Sequence, residues 1–138
     1  MIDLSNYLFE YTIEHAMIPG SIESWIIILD LKGVGMTEIP VKKLQPLVET
    51  MNKNYRGRLY RFYATNTSFV LRSLWHMVRT FVDEFTKNKL NVYGSNFIRD
   101  ISDLIDPQNL EQLYSGQMPN IEANFFPPAF NPWVSYFY

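Results

Sequence analysis

The chain has no cysteine. Disulfides, thiolate nucleophiles and thiolate metal sites are excluded, and a reducing compartment is permitted. It has little net charge, -2 at pH 7, which argues against bulk nucleic-acid binding. No apolar run approaches the roughly 18 residues that a membrane-spanning helix needs. The opening stretch MIDLSNYLFEYTIEH lacks a basic region and carries Asp3, Glu10 and Glu14, which is unlike a signal peptide. Gly-Lys-Ser/Thr is missing, so there is no Walker phosphate loop. Gly-x-Ser-x-Gly is missing too, so there is no hydrolase elbow. At 138 residues the chain is one domain at most, or a piece of one.

Aromatic residues are what it has in quantity: 10 Phe, 9 Tyr and 3 Trp, with 6 Met beside them. So much wide, soft apolar surface suits an ordinary aromatic core and equally an apolar ligand pocket.

Periodicity gives the elements. Leu4, Tyr7, Leu8, Tyr11, Ile13 and Met17 recur at close to 3.6 residues and predict a helix over 3–17, stopped by Pro19-Gly20. Ser24 to Leu31 is an unbroken apolar run of strand length, as in a strand buried on both faces of a parallel sheet. A helix over 40–54 has Pro40 in its first turn and Val41, Leu44, Leu47, Val48 and Met51 as its inner stripe. LYRFYA at 59–64 is a second strand. Ser68 caps a helix to about Phe81, with Phe69, Leu71, Leu74, Trp75 and Val78 on its apolar side. Thr86 falls in a short turn, Leu90 to Tyr93 is a third strand, and a last helix covers about 96–105. Strands alternating with helices predict a parallel α/β sheet with right-handed crossovers. After Gly116 the chain turns to Pro and aromatics without period.

The stretch WIIILDLKGVGM, 25–36, raises the question of a dinucleotide loop. A fingerprint of that kind needs a third glycine, and Glu38 stands in its place with a charge that repels pyrophosphate. The two glycines then serve as positive-φ positions in a strand-to-helix loop. His15 and His76 have no cysteine or carboxylate at ligand spacing, and packed or surface roles suit them better than metal binding. Asp30 ends a strand at the carboxyl edge, where α/β proteins keep active sites, although a loop or cap role fits it better. Lys53, Arg56, Arg58 and Arg61 form a basic cluster, either an ordinary solvated face or a contact for anionic lipid.

Residues 55–94 (YRGRLYRFYATNTSFVLRSLWHMVRTFVDEFTKNKLNVYG) resemble the CRAL-TRIO lipid-binding domain. A strand, Asn66, Phe69, Trp75, Val78, Phe81, Asp83, Thr86, Lys89 and a short strand follow at that family's spacing. ILDLKGVGM at 28–36 matches its earlier strand, and NLEQLYSG at 109–116 its closing segment. In the closing segment Glu111 stands for the usual Pro, and Ser115 for the first of two glycines. The resemblance covers about 10–117.

The resemblance implies a mostly parallel sheet as the floor of an apolar lipid pocket. It implies a gate at about 68–81, with Phe69, Trp75 and Val78 facing the pocket, and no enzymatic chemistry or cofactor. Thr86 and Lys89 match a Thr-x-x-Lys motif that faces an inositol phosphate in some members, and Arg58 survives from a second inositol-binding segment. That segment's Glu falls on Gly57. Trp25 and Ile27 occupy positions that carry hydroxyls in choline-binding members, so choline recognition is disfavoured. The expected ligand is a phosphoinositide or another small lipophile. The expected setting is cytoplasmic, with transient attachment to a membrane surface and no nucleic acid. A lipid-free module that binds a protein partner, such as a small GTPase or its regulator, is the alternative.

The expected organisation is a lipid-binding lobe over 1–122 and an extended Pro/aromatic tail over 123–138. Relative to the family, a helical subdomain and a first strand are missing ahead of the first helix. The chain is then a fragment or a short member with an exposed sheet edge, and self-association is expected.

Overall fold

A computed structural model describes residues 2–95 and 98–123. The chain divides into two units, Met1–Ser95 and Asn96–Tyr138. The tail from 124 onward lies outside the described residues.

The first unit holds helix α1 (Ile2–Ala16), strand β1 (Trp25–Asp30), helix α2 (Val41–Asn54), strand β2 (Leu59–Thr65), helix α3 (Phe69–Val78), the one-turn helix α4 (Glu84–Lys87) and strand β3 (Leu90–Val92). The three strands form one parallel sheet in the order β1-β2-β3. Trp25 pairs with Leu59 and Asp30 with Thr65; Phe62 pairs with Leu90 and Ala64 with Val92. The β-branched run of β1 and the helix-forming stretches between strands produce this α/β order as expected.

The burial of β1 differs from expectation. It is half-buried rather than covered on both faces, and Leu29 is 45% exposed. The reason is position: β1 is an edge strand, and the buried run Tyr63, Ala64, Thr65 belongs to the central strand β2. Met17, Tyr55, Leu71, Leu74 and Val82 complete the core of this unit. On α1 the inner face is rotated from the expected stripe. Leu4 and Tyr7 are exposed, while Phe9 stacks on Trp25 with ring centroids 5.0 Å apart.

The Gly-x-Gly loop is also resolved. Gly33 takes φ +77, as expected, but Gly35 sits at φ -85 and needs no glycine conformation. Its N–H donates to Glu38 Oε2 at 2.8 Å, at the head of a single 3-10 turn.

The second unit carries helix α5 (Ile98–Ser102) and two 3-10 turns, Pro107–Asn109 and Gln112–Tyr114. Ile101 and Leu110 are buried. Asp106 caps the first of these turns through the Gln108 N–H. Glu111 and Met118 form an isolated parallel bridge. Ser115 is left-handed, with φ 65.

Candidate functional site

The amino ends of the three strands bring most of the sequence-selected polar residues together. Trp25 opens β1, Arg58 immediately precedes β2, and Thr86 and Lys89 lie in and just after α4, ahead of β3. Lys89 Nζ donates to the Leu59 carbonyl, the first residue of β2. Its ammonium also stands 4.4 Å from the centre of the Phe85 ring. Arg61 reaches the same turn, donating to the Asn88 carbonyl at 3.4 Å.

Thr86 is held by its own cap. Asp83 accepts the Thr86 N–H at 2.9 Å and the Thr86 hydroxyl at 2.7 Å. The hydroxyl bond first, then the N–H bond, holds the Asp83 carboxyl below its ordinary range, because both bonds favour the charged form. Thr86 and Lys89 share one backbone turn, in which the Lys89 N–H donates to the Thr86 carbonyl at 2.9 Å, while their side chains bond Asp83 and the Leu59 carbonyl respectively. Arg58 points elsewhere, to the Glu23 carbonyl at 3.0 Å and to Met17 Sδ at 3.8 Å. Of the expected trio, Thr86 and Lys89 lie in one turn, and Arg58 is engaged on the β1 side.

Trp25 sits in an aromatic cluster. Besides Phe9, it meets Tyr55 at 6.0 Å between ring centres. Its Nε1 is buried and finds no acceptor among the described residues. Burial, then the hydrogen bond from its hydroxyl to Glu10, pushes the Tyr55 phenol up to about 12. Ile27 is half-buried and pairs with Phe62.

Helix α3 starts where expected, with Ser68 Oγ accepting the Leu71 N–H. Leu71 and Leu74 are buried, and Trp75 and Val78 are half-buried beside them. Phe69 departs from the expected face and is 88% exposed. The cause is helix geometry: two residues at about 100° each carry Leu71 round to the far side from Phe69.

The opposite end of the sheet carries a cavity of about 480 Å³, lined by residues of the 31–35 loop, by Asn66, Thr67 and Ser68, and by Gly94 and Ser95. Asp30 Oδ1 accepts the Lys32 N–H at 2.9 Å and the Asn66 amide at 2.8 Å. Asn66 is itself left-handed, with φ 54. Asp30 therefore ties two loops together. Neither this tie nor the exposed rings of Tyr60 and Phe85 were singled out from the sequence. The left-handed Asn-x-Ser after a strand was the available signal for the tie.

The two histidines lie apart from all of this. His15 packs on the Tyr11 ring at 4.3 Å, and His76 is exposed on α3. No helix among the described residues is long and apolar enough to cross a membrane.

Comparison with known proteins matches residues 1–116 to the CRAL/TRIO domain. The chain is 33% identical over 98 residues to the phosphatidylinositol/phosphatidylcholine transfer protein SFH11 of Arabidopsis thaliana, covering 69% of this chain and 26% of that protein. It is 30% identical over 99 residues to the Sec14 cytosolic factor of Schizosaccharomyces pombe, covering 70% and 35%. The SEC14 cytosolic factor of Yarrowia lipolytica is 31% identical over 98 residues, covering 70% and 20%. The chain thus spans about a third or less of these relatives' lengths. With the parallel α/β sheet in place and the family match running over most of its length, the chain belongs to the CRAL/TRIO domain family.

Proposed function

We propose that this protein binds, and passes between membranes, a hydrophobic lipid of the phosphoinositide kind, without catalysing a reaction. The observation that carries this reading is the gathering of Thr86 and Lys89 at the amino ends of the strands in a chain of the CRAL/TRIO family. An ammonium and a hydroxyl three residues apart in one turn suit a phosphodiester once Lys89 leaves the Leu59 carbonyl and Thr86 leaves the Asp83 carboxylate. Arg58 completes the cationic side after turning from the Glu23 carbonyl. The relatives named for phosphatidylinositol and phosphatidylcholine transfer support the ligand class. Trp25 and Ile27 favour inositide over choline, since neither offers a hydroxyl.

The acyl chains would enter the apolar pocket that the family resemblance implies, where each buried methylene contributes about 0.8 kcal/mol. Helix α3 and the turn after it, about 68–81, form the gate. Trp75 and Val78 lie on its inner side, and Phe69 stands at its exposed tip. Among the described residues β1 and β3 are the edge strands, which supports self-association, and sedimentation at rising concentration tests it.

Mass spectrometry of ligand extracted from the protein purified out of cells tests the main reading. The expected result is one phospholipid per protein, with phosphatidylinositol enriched. A protein that emerges empty and takes up no lipid from vesicles overturns it in favour of a lipid-free module that binds a protein partner.

A further inference from the structure

From Thr50 to Val82 the chain holds Lys53, Arg56, Arg58, Arg61, Arg72 and Arg79 and not one Asp or Glu. In a chain of net charge -2, this gathers six of the 12 Lys and Arg into one stretch. The fold then places Arg61 of this stretch, and Lys89 beyond it, against exposed aromatic rings. The Arg61 guanidinium lies 5.5 Å from the centre of the Tyr60 ring, and the Lys89 ammonium 4.4 Å from that of Phe85. Tyr60 is 49% exposed and Phe85 70%. The two ring-and-cation pairs adjoin, because Lys89 holds the Leu59 carbonyl while Arg61 reaches the Asn88 carbonyl.

Of the carboxylates next to this rim, Glu84 is paired with Lys87, while Asp83 accepts the Thr86 hydroxyl and N–H and keeps its charge. Among the described residues neither Arg61 nor Lys89 has a carboxylate within ion-pair reach. The rim therefore shows water a pair of flat apolar rings, each carrying an uncompensated cation.

We propose that this rim, at the amino ends of the strands, is the surface by which the protein docks on an anionic lipid bilayer. A ring with a cation above it matches the bilayer interface in both respects. The ring enters the region between headgroup and acyl chain, while the cation meets lipid phosphates. An acidic protein would match the charge, but the position of the rim favours the bilayer. It is continuous with Thr86 and Lys89, so docking there sets the phosphate pair at headgroup depth. The inference rests on the lipid-binding reading for that last point alone.

The test is co-sedimentation of the full chain with vesicles of phosphatidylcholine alone and of phosphatidylcholine mixed with phosphatidylserine. Adding phosphatidylserine is expected to raise binding by about 5-fold or more, and added salt to reverse the gain. The Arg61→Ala/Phe85→Ala variant is expected to lose roughly 10-fold on the mixed vesicles. Phe85→Ser alone, an exposed change, serves if the double variant melts early. Lys42→Ala/Lys43→Ala, which removes two exposed cations of α2, is expected to stay within about 2-fold of the parent.

Equal binding to both vesicle types overturns the proposal. So does a folded rim variant that binds like the parent, or binding to soluble polyglutamate without binding to vesicles. Ligand content, measured in parallel, separates the two readings. A protein that docks but carries no lipid refutes the pocket and leaves the surface standing. One that carries lipid but ignores vesicle charge refutes the surface and leaves the pocket standing.

Discussion

At the carboxyl ends of the strands, Asp30 and Asn66 satisfy one another, and Glu38 closes on Gly35. At the amino ends, Arg58, Arg61 and Lys89 donate to main-chain carbonyls, and exposed rings lie beside two of them. Open α/β sheets commonly place ligands at the carboxyl ends. Here that end has an open depression but spends its polar groups on holding its loops. The other end keeps its charge available. A carbonyl is a weak competitor for a cation, and a phosphate displaces it more easily than it would displace a carboxylate. On the proposed reading, what each polar group is already bonded to, more than the presence of a depression, selects the end that takes the ligand.

That contrast predicts separate consequences for changes at the two ends. The largest effect is expected from Lys89→Ala, which should weaken phosphatidylinositol binding by about 1.5–3 kcal/mol, the scale of a charge-assisted hydrogen bond. Competition against a fluorescent lipid measures it. An equal loss in Lys32→Ala, at the cavity, would erase the distinction between the ends.

Next comes Asn66→Ala. It should cost about 2 kcal/mol of stability, from the lost bond to Asp30 and from placing Ala in a left-handed conformation. Asn66→Gly should recover the backbone share. Urea unfolding reads both, and lipid binding by the folded protein should not change.

Asp83→Ala should cost about 1 kcal/mol, as the loss of a helix cap does. The sign of its pH dependence follows from the lowered carboxyl. The contribution is full above the ordinary value of 3.8 and disappears as pH falls through the depressed folded value. Parent and variant melting curves should therefore converge in acid.

The smallest change is expected from Phe69→Ala, within about 0.5 kcal/mol of the parent in unfolding, because the ring is almost wholly in water. A large loss would mean that α3 packs through its outer face.

Element types and order were legible because periodicity and punctuation agree along the chain. Ser68 as a cap, the β-branched run of β1 and Thr86 in its short helix all stand where local chemistry puts them. Facing was less legible. Phe69 reads as part of an apolar stripe when neighbours are grouped loosely, and Phe9 was passed over because its partners, Trp25 and Tyr55, are distant in sequence. The bulk exposure of β1 follows from its edge position, which alternation cannot reveal.

The departures from family pattern in the closing segment now have a geometry. Ser115 at φ 65 keeps the conformation for which glycine is the easier residue, and Glu111 at φ -65 keeps the backbone a proline would fix. Gly116 has no such latitude, since a Cβ there would stand 1.8 Å from the Leu110 carbonyl oxygen.

The Gly35–Glu38 contact carries a consequence for any anion that approaches the 33–38 loop. A loop of this shape acts as a socket when its amides are vacant. Here Glu38 is a tethered competitor, three residues from the Gly35 amide it occupies at 2.8 Å. Tethering holds it at an effective concentration in the millimolar range or above. A free phosphate would have to evict that carboxylate and then remain next to its charge. The loop therefore carries its own plug, and replacing Glu38 by Gln would blunt the plug without unpicking the turn.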